Sequence, residues 1–248
     1  MKVSCSLGIA AAALAMSLAS AAPAMADAMT GYYYILSANN PDVENGIDGG
    51  IVPGLVENSL GPDGLPVASA LALSYGGGSG PISDINGSNE ILWWTPHAGI
   101  VTYEKTQIDT LPLLFTSNFY PDGAGGNGGA NGYRAVHWTG MFDLGAGGGT
   151  VSLSLGADDD AWVFIDGILA DDAGGVHALS SAPFTSASLT AGDHTIDIFF
   201  ADRHTVQSGI DFEPRFEINP VDAPEPATLA ILGAGLAGIG ALRRRKRS

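Results

Sequence analysis

Between residues 27 and 222 the apolar positions recur at a spacing of two rather than at the three-and-four spacing of a helix. Val151, Leu153 and Leu155 alternate with Thr150, Ser152 and Ser154, and Ile196, Ile198 and Phe200 alternate with Thr195, Asp197 and Phe199. That period puts successive side chains on opposite faces of a half-buried strand. Further strands are predicted at residues 32–36 and 91–94, and over Ile210, Phe212, Phe216 and Ile218. The last is expected to be bent or at a sheet edge, because Pro214 cannot donate to a ladder. Many short strands punctuated by glycine, proline, asparagine and aspartate predict an all-β sandwich or barrel. Two stretches, 39–67 and 121–131, carry no such pattern and read as long irregular loops.

One segment concentrates both pattern and charge. Asp158, Asp159 and Asp160 stand directly before the apolar run Trp162-Val163-Phe164-Ile165, and Asp166-Gly167 then precedes Ile168-Leu169-Ala170. An Asp-Gly dipeptide suits a two-residue hairpin, because both positions tolerate positive φ. The segment therefore reads as strand, tight turn, strand. Trp162 and Phe164 share one face and Val163 and Ile165 the other, which predicts a central strand covered on both sides. Three adjacent carboxylates repel one another. A hard cation with oxygen ligands, such as calcium, would offset that repulsion; an acidic loop left in water is the alternative.

The chain ends are of another kind. Lys2, an alanine-rich apolar stretch and Ala24-Met25-Ala26 form a secretory leader over residues 1–26, with signal-peptidase cleavage after Ala26. Cys5 leaves with it, so the exported domain is expected to hold together without disulfides. At the other end, residues 227–242 could form an apolar helix of about 24 Å, short of the roughly 30 Å of a bilayer core. It is followed by Arg243, Arg244, Arg245, Lys246 and Arg247, which favour the cytoplasmic side. By itself this is a tail anchor. Together with Pro224-Glu225-Pro226 it resembles the PEP-CTERM sorting signal of Gram-negative bacteria, over residues 223–248. The resemblance implies a transient inner-membrane anchor, cutting by an exosortase near the triplet, and delivery to the cell surface or an extracellular matrix.

What lies between, residues 27–222, shows no linker or repeat and is expected to be one domain. Charge narrows its partners. Of the 10 bases only Lys105, Arg134, Arg203 and Arg215 fall in this part, against 25 of the 26 acids, for a net charge near 4 − 25 = −21. Nucleic acid is excluded as a partner, because phosphate binding needs clustered Lys and Arg. No nucleophile elbow, phosphate loop or paired metal-binding histidine motif is present. The five histidines, His97, His137, His177, His194 and His204, lack helical ligand spacing and read as packed or exposed. A pair of distant carboxylates acting as a glycosidase would leave no local trace.

The run Asp158-Asp159-Asp160-Ala-Trp162-Val-Phe164-Ile-Asp166-Gly167, with Asp172-Ala-Gly174-Gly175-Val-His177, resembles the signature of fibro-slime domains, which belong with the PA14-like β-sandwiches. The likeness extends to Phe199-Phe200-Ala201-Asp202-Arg203-His204-Thr205 with Ser208, to Asn40-Pro41-Asp42-Val43-Glu44, and to Phe119-Tyr120-Pro121-Asp122-Gly123. It implies a secreted, non-catalytic module that binds glycan or extracellular polysaccharide, as in a biofilm. In PA14-like lectins an Asp-Asp pair ahead of the strand ending in Asp/Asn-Gly holds calcium, which binds sugar hydroxyls. Here that pair falls on Asp158 and Asp159; Asp160, where relatives often carry glycine, adds charge and leaves the choice of pair open. Asp172, His177, Asp202, Arg203 and His204 are candidates beside the ligand, with Asp202–Arg203 expected to be a structural ion pair. Trp93, Trp94 and Trp138 are stacking candidates only if exposed. The alternatives are a purely structural matrix protein and a carbohydrate-active hydrolase.

Overall fold

The computed structural model describes residues 27–116, 118–121 and 131–220. The leader with Ala26, the loop residues 122–130, the Pro224-Glu225-Pro226 triplet and the apolar stretch 227–242 lie outside the described residues. Among the described residues no helix is long and apolar enough to cross a membrane.

The strands are β1 (Ala28–Leu36), β2 (Val101–Thr110), β3 (Leu113–Phe115), β4 (Tyr133–Asp143), β5 (Ser152–Asp158), β6 (Asp160–Ile165), β7 (Ile168–Ala173), β8 (Ser180–Thr185), β9 (Asp193–Ala201), β10 (Gly209–Pro214) and β11 (Asn219–Pro220). They form two antiparallel sheets. The larger runs β2-β1-β4-β9-β6-β7, with β11 also pairing β4; the smaller runs β3-β10-β5-β8. The all-β sandwich predicted from the two-residue period is the fold the chain adopts.

The alternation explains the packing. Leu153, Leu155 and Ala157 of β5 meet Ile196, Ile198 and Phe200 of β9 and Val163 and Ile165 of β6 in a core between the sheets. The opposite faces of β6 and β9 carry Trp162, Phe164, Phe199 and Ala201, and these lie in a second core. β6 is therefore apolar on both sides because it is buried on both sides, as predicted. The Asp166-Gly167 turn joins β6 to β7 with φ of 51° and 74°, the left-handed pair that a two-residue hairpin requires.

The second core has an unusual cover. Residues 37–100 contribute Leu55, Val56, Leu65, Ala68, Ala72, Ile82, Ile91, Trp93 and Trp94 to it, yet form no ladder beyond isolated bridges such as Val56↔Ala68 and Val67↔Glu90. Carboxylates take the place of strand pairing. Asp42 accepts the N–H of Ser83 at 2.7 Å and of Asp84 at 3.0 Å, and Nε1 of Trp93 at 2.9 Å. Glu90 accepts Asp63 N–H at 2.8 Å and Asn86 Nδ2 at 2.7 Å. The stretch 39–67, read as a long loop, is thus part of a packed layer.

Two expectations are corrected here. Leu92–Trp94 is a short 3-10 turn, not a strand; it aims both indoles inward, and Trp94 Nε1 donates to the Phe200 carbonyl at 3.0 Å. The strand expected through Ile218 also stops early: β10 ends at Pro214, and Phe216 and Ile218 pack on the core from the segment between it and β11.

Candidate functional site

The acidic segment opens at one end of the sandwich, where β5 ends, β6 begins and β9 runs into the loop 202–208. A pocket of about 240 Å³ lies there, lined by Ile47, Gly49, Asp158, Asp159, His177, Ala178, His204, Val206 and Gln207. Four residues singled out by sequence, Asp158, Asp159, His177 and His204, come together in it. The others do not line it.

Asp158 and Asp159 are joined by a cis peptide. Asp159 is anchored from both sides: Oδ1 accepts the His177 N–H at 3.2 Å and Oδ2 the Arg203 N–H at 2.7 Å. Burial, reinforced by the charge of Asp160, pushes Asp159 up to about 8. Burial also leaves Asp158 raised, the Leu179 N–H, His177 and the Asp159 side chain offsetting only part of the rise. The His177 ring is held by the carbonyls of Ala178 at 2.9 Å and Ala173 at 3.2 Å.

Asp160 turns away from the pocket. Its Oδ2 receives Arg203 Nε at 2.7 Å and its Oδ1 the Gly175 N–H at 2.6 Å, and both members of the ion pair are fully buried. β5 ends at Asp158, the chain crosses over at Asp159, and Asp160 opens β6, where Arg203 Nε and the Gly175 N–H hold it away from the mouth. Arg203 is further held by the Ser79 carbonyl at 3.0 Å and lies over the Trp93 ring at 4.7 Å. The expected Asp202–Arg203 ion pair is therefore not formed; Asp160 takes the guanidinium. Asp202 is buried behind the loop, where one oxygen accepts the His204 N–H at 3.1 Å and the other has no hydrogen-bond partner. Burial, then the charge of Asp159, raises Asp202 well above the carboxylate range.

Asp172 serves the fold. It accepts Gly54 N–H at 2.7 Å, Gly174 N–H at 3.0 Å and Trp162 Nε1 at 2.9 Å, tying β7 to the cover. Trp93, Trp94 and Trp138 are all buried, so none offers a face to a sugar.

Sequence reasoning missed Ile47, Gly49, Ala178, Val206 and Gln207 as wall residues, since exposed apolar and amide side chains in loops carry no local signature. The Asn40–Glu44 block did carry a signal through its resemblance, and the structure shows its contact with the site: Glu44 N–H donates to the Arg203 carbonyl at 2.8 Å. Among the described residues no three His, Cys, Asp or Glu side chains converge closely enough to enclose a metal by themselves.

Protein psiQ of Dictyostelium discoideum is 30% identical over 209 residues, covering 73% of this chain and 20% of that protein; the chain thus spans about a fifth of the relative's length. Solved structures with a similar arrangement include the PA14 sugar-binding domain from an RTX adhesin, at 15% identity and a TM-score of 0.40 over 78% of this chain and 95% of that one. They also include the Epithelial Adhesin 9 A domain of Candida glabrata, solved with Galb1-4GlcNAc, at 10% identity and a TM-score of 0.31 over 78% of this chain and 86% of that one. Residues 222–246 match the PEP-CTERM protein-sorting motif, so the chain carries the address of a protein exported and sorted to the cell envelope.

Proposed function

We propose that this chain is a non-catalytic glycan-binding protein of the cell surface or extracellular matrix, and that its sugar pocket is the one lined by Asp158 and Asp159. The observation that carries the reading is the meeting of these adjacent carboxylates with His177 and His204 in one open pocket. Ile47, 66% exposed, and Val206, 63% exposed, give the pocket an apolar rim, and Gln207 adds an amide. An apolar surface with a few convergent polar groups is the usual make-up of a small-ligand site. Asp158 and Asp159 are sequence neighbours whose side chains interact directly, whereas glycoside hydrolysis needs two carboxylates facing each other across the bond; binding therefore accounts for the arrangement better.

Calcium is the second half of the proposal, and the adjacent carboxylates of Asp158 and Asp159 in the pocket are what support it. Asp160, Asp159 and Asp42 act on one buried guanidinium, Arg203, Asp158 and Asp202 are buried as well, and an oxygen of Asp202 stays unpaired. Buried charge is tolerated when it is paired or coordinates a metal. Asp158 and Asp159 would hold the ion. Since calcium takes about 6–8 oxygens, backbone carbonyls, water and sugar hydroxyls would complete the shell. When bound, the ion supplies positive charge toward hydroxyl oxygens; the pocket walls then exclude water and orient the ring.

A glycan array probed with the full chain, in calcium and in EGTA, tests both halves. Saturable binding that EGTA removes, and that Asp158→Asn with Asp159→Asn removes, is the expected result. Absence of saturable binding in a chain whose tryptophan fluorescence is native overturns the reading. Binding indifferent to EGTA would retain the sugar and dismiss the ion.

A further inference from the structure

The registers of the strands place the chain's ends and the pocket at opposite poles. Asn219 of β11 pairs with Met141, and Met141 pairs with Thr195 of β9. At the same level the Ala28 N–H donates to the Ile218 carbonyl at 3.2 Å, and the Ile218 N–H to Asp27 Oδ1 at 3.3 Å. β1 and β11 thus leave the body together. The pocket lies at the other end of the same strands: Ala201 of β9 pairs with Asp160, next to Asp158 and Asp159. Six residues separate Thr195 from Ala201, which at about 3.3 Å per residue is roughly 20 Å of strand, and the 202–208 loop extends beyond it.

The tether is shorter than this. Four residues lead from Pro220 to Pro224, a reach of at most about 14 Å even when fully extended. Pro220, at the end of β11, therefore leaves the body at the pole formed by Ala28, Met141 and Ile218, and a connection of this reach is too short to bridge from there to the pocket. The body's charge near −21 also opposes lying flat on an anionic lipid surface.

From this polarity we infer that the pocket faces away from whatever holds the tail, and that its ligand is presented in trans: a glycan of the matrix or of another cell, not a sugar headgroup of the membrane to which the chain is attached. This rests on the glycan-binding reading, but the geometry can be tested without any sugar. A single cysteine is placed at the pocket rim (Val206→Cys, 63% exposed) or at the tail pole (Met141→Cys, 39% exposed), each in the full chain carrying Cys5→Ser. The labelling rate by a bulky, membrane-impermeant maleimide is then compared in detergent and in phosphatidylcholine vesicles. The rim cysteine is expected to react at similar rates in both, and the tail-pole cysteine several-fold more slowly in vesicles. Equal slowing of both, or greater slowing at the rim, overturns the inference. Failure of the glycan array with this labelling pattern intact would refute the sugar pocket and leave the polarity standing.

Discussion

Arg203→Met is the sharpest test of how the acidic mouth is held. The substitution keeps most of the unbranched stem and removes the guanidinium that pairs with Asp160 at 2.7 Å, both groups being fully buried. Breaking a buried pair by deleting one partner costs about 3–5 kcal/mol, because it strands the other charge. A domain of this size shifts by roughly 2–4 °C per kcal/mol, so the melting temperature is expected to fall by about 6–20 °C on these two figures. Thermal and urea unfolding followed by tryptophan fluorescence would read this directly, since Trp93 lies against the guanidinium. The companion variant Arg203→Met with Asp160→Asn removes the stranded charge and should unfold later than the single variant. Two results would refute the reasoning: a loss under about 1 kcal/mol, the scale of an exposed pair, or simple additivity in the double-mutant cycle, which would mean that the two side chains are not coupled.

Calcium at about a hundred times its dissociation constant should stabilise the chain by roughly 2.7 kcal/mol, visible as a melting shift that EGTA reverses; an unchanged midpoint would remove calcium from the account. Without calcium, Asp159 held near 8 keeps a proton that the unfolded chain releases above about 4. The folded state then binds more protons than the unfolded one, so stability is expected to fall as pH rises from about 4 to 8, and a urea midpoint higher at pH 8 than at pH 5 would contradict this. Asp42→Ala leaves Ser83 N–H, Asp84 N–H and Trp93 Nε1 without their acceptor, at about 1–3 kcal/mol for each group that stays buried. Its unfolding free energy should drop by several kcal/mol, and a near-neutral change would show that the cover is not held from Asp42.

Strand alternation and the Asp166-Gly167 turn were legible because each is a local rule, with side-chain period or turn dihedral fixed by neighbours in sequence. β6 declared its double burial in the same way. Trp93 and Trp94 misled because two apolar residues in a row are too short to reveal a period, and only the distant acceptors Asp42 and the Phe200 carbonyl turn that stretch inward. At the site, Asp158 and Asp159 could be found but not told apart from Asp160, since the partners that hold Asp160 away from the mouth, Arg203 and Gly175, are distant in sequence. The partner of Arg203 was misassigned to its sequence neighbour, Asp202. Neighbours on an extended chain point apart, and the bond to Asp160 spans 43 residues.

The pocket's walls come from far-separated parts of the chain: Ile47 and Gly49 from the cover, Asp158 and Asp159 from the strand crossing, His177 from the loop after β7, and His204 to Gln207 from the loop after β9. A polypeptide threading outward from its N-terminus delivers Ile47 first and Gln207 only 160 residues later. No partly emerged chain that still lacks the loop 202–208 can close the cavity.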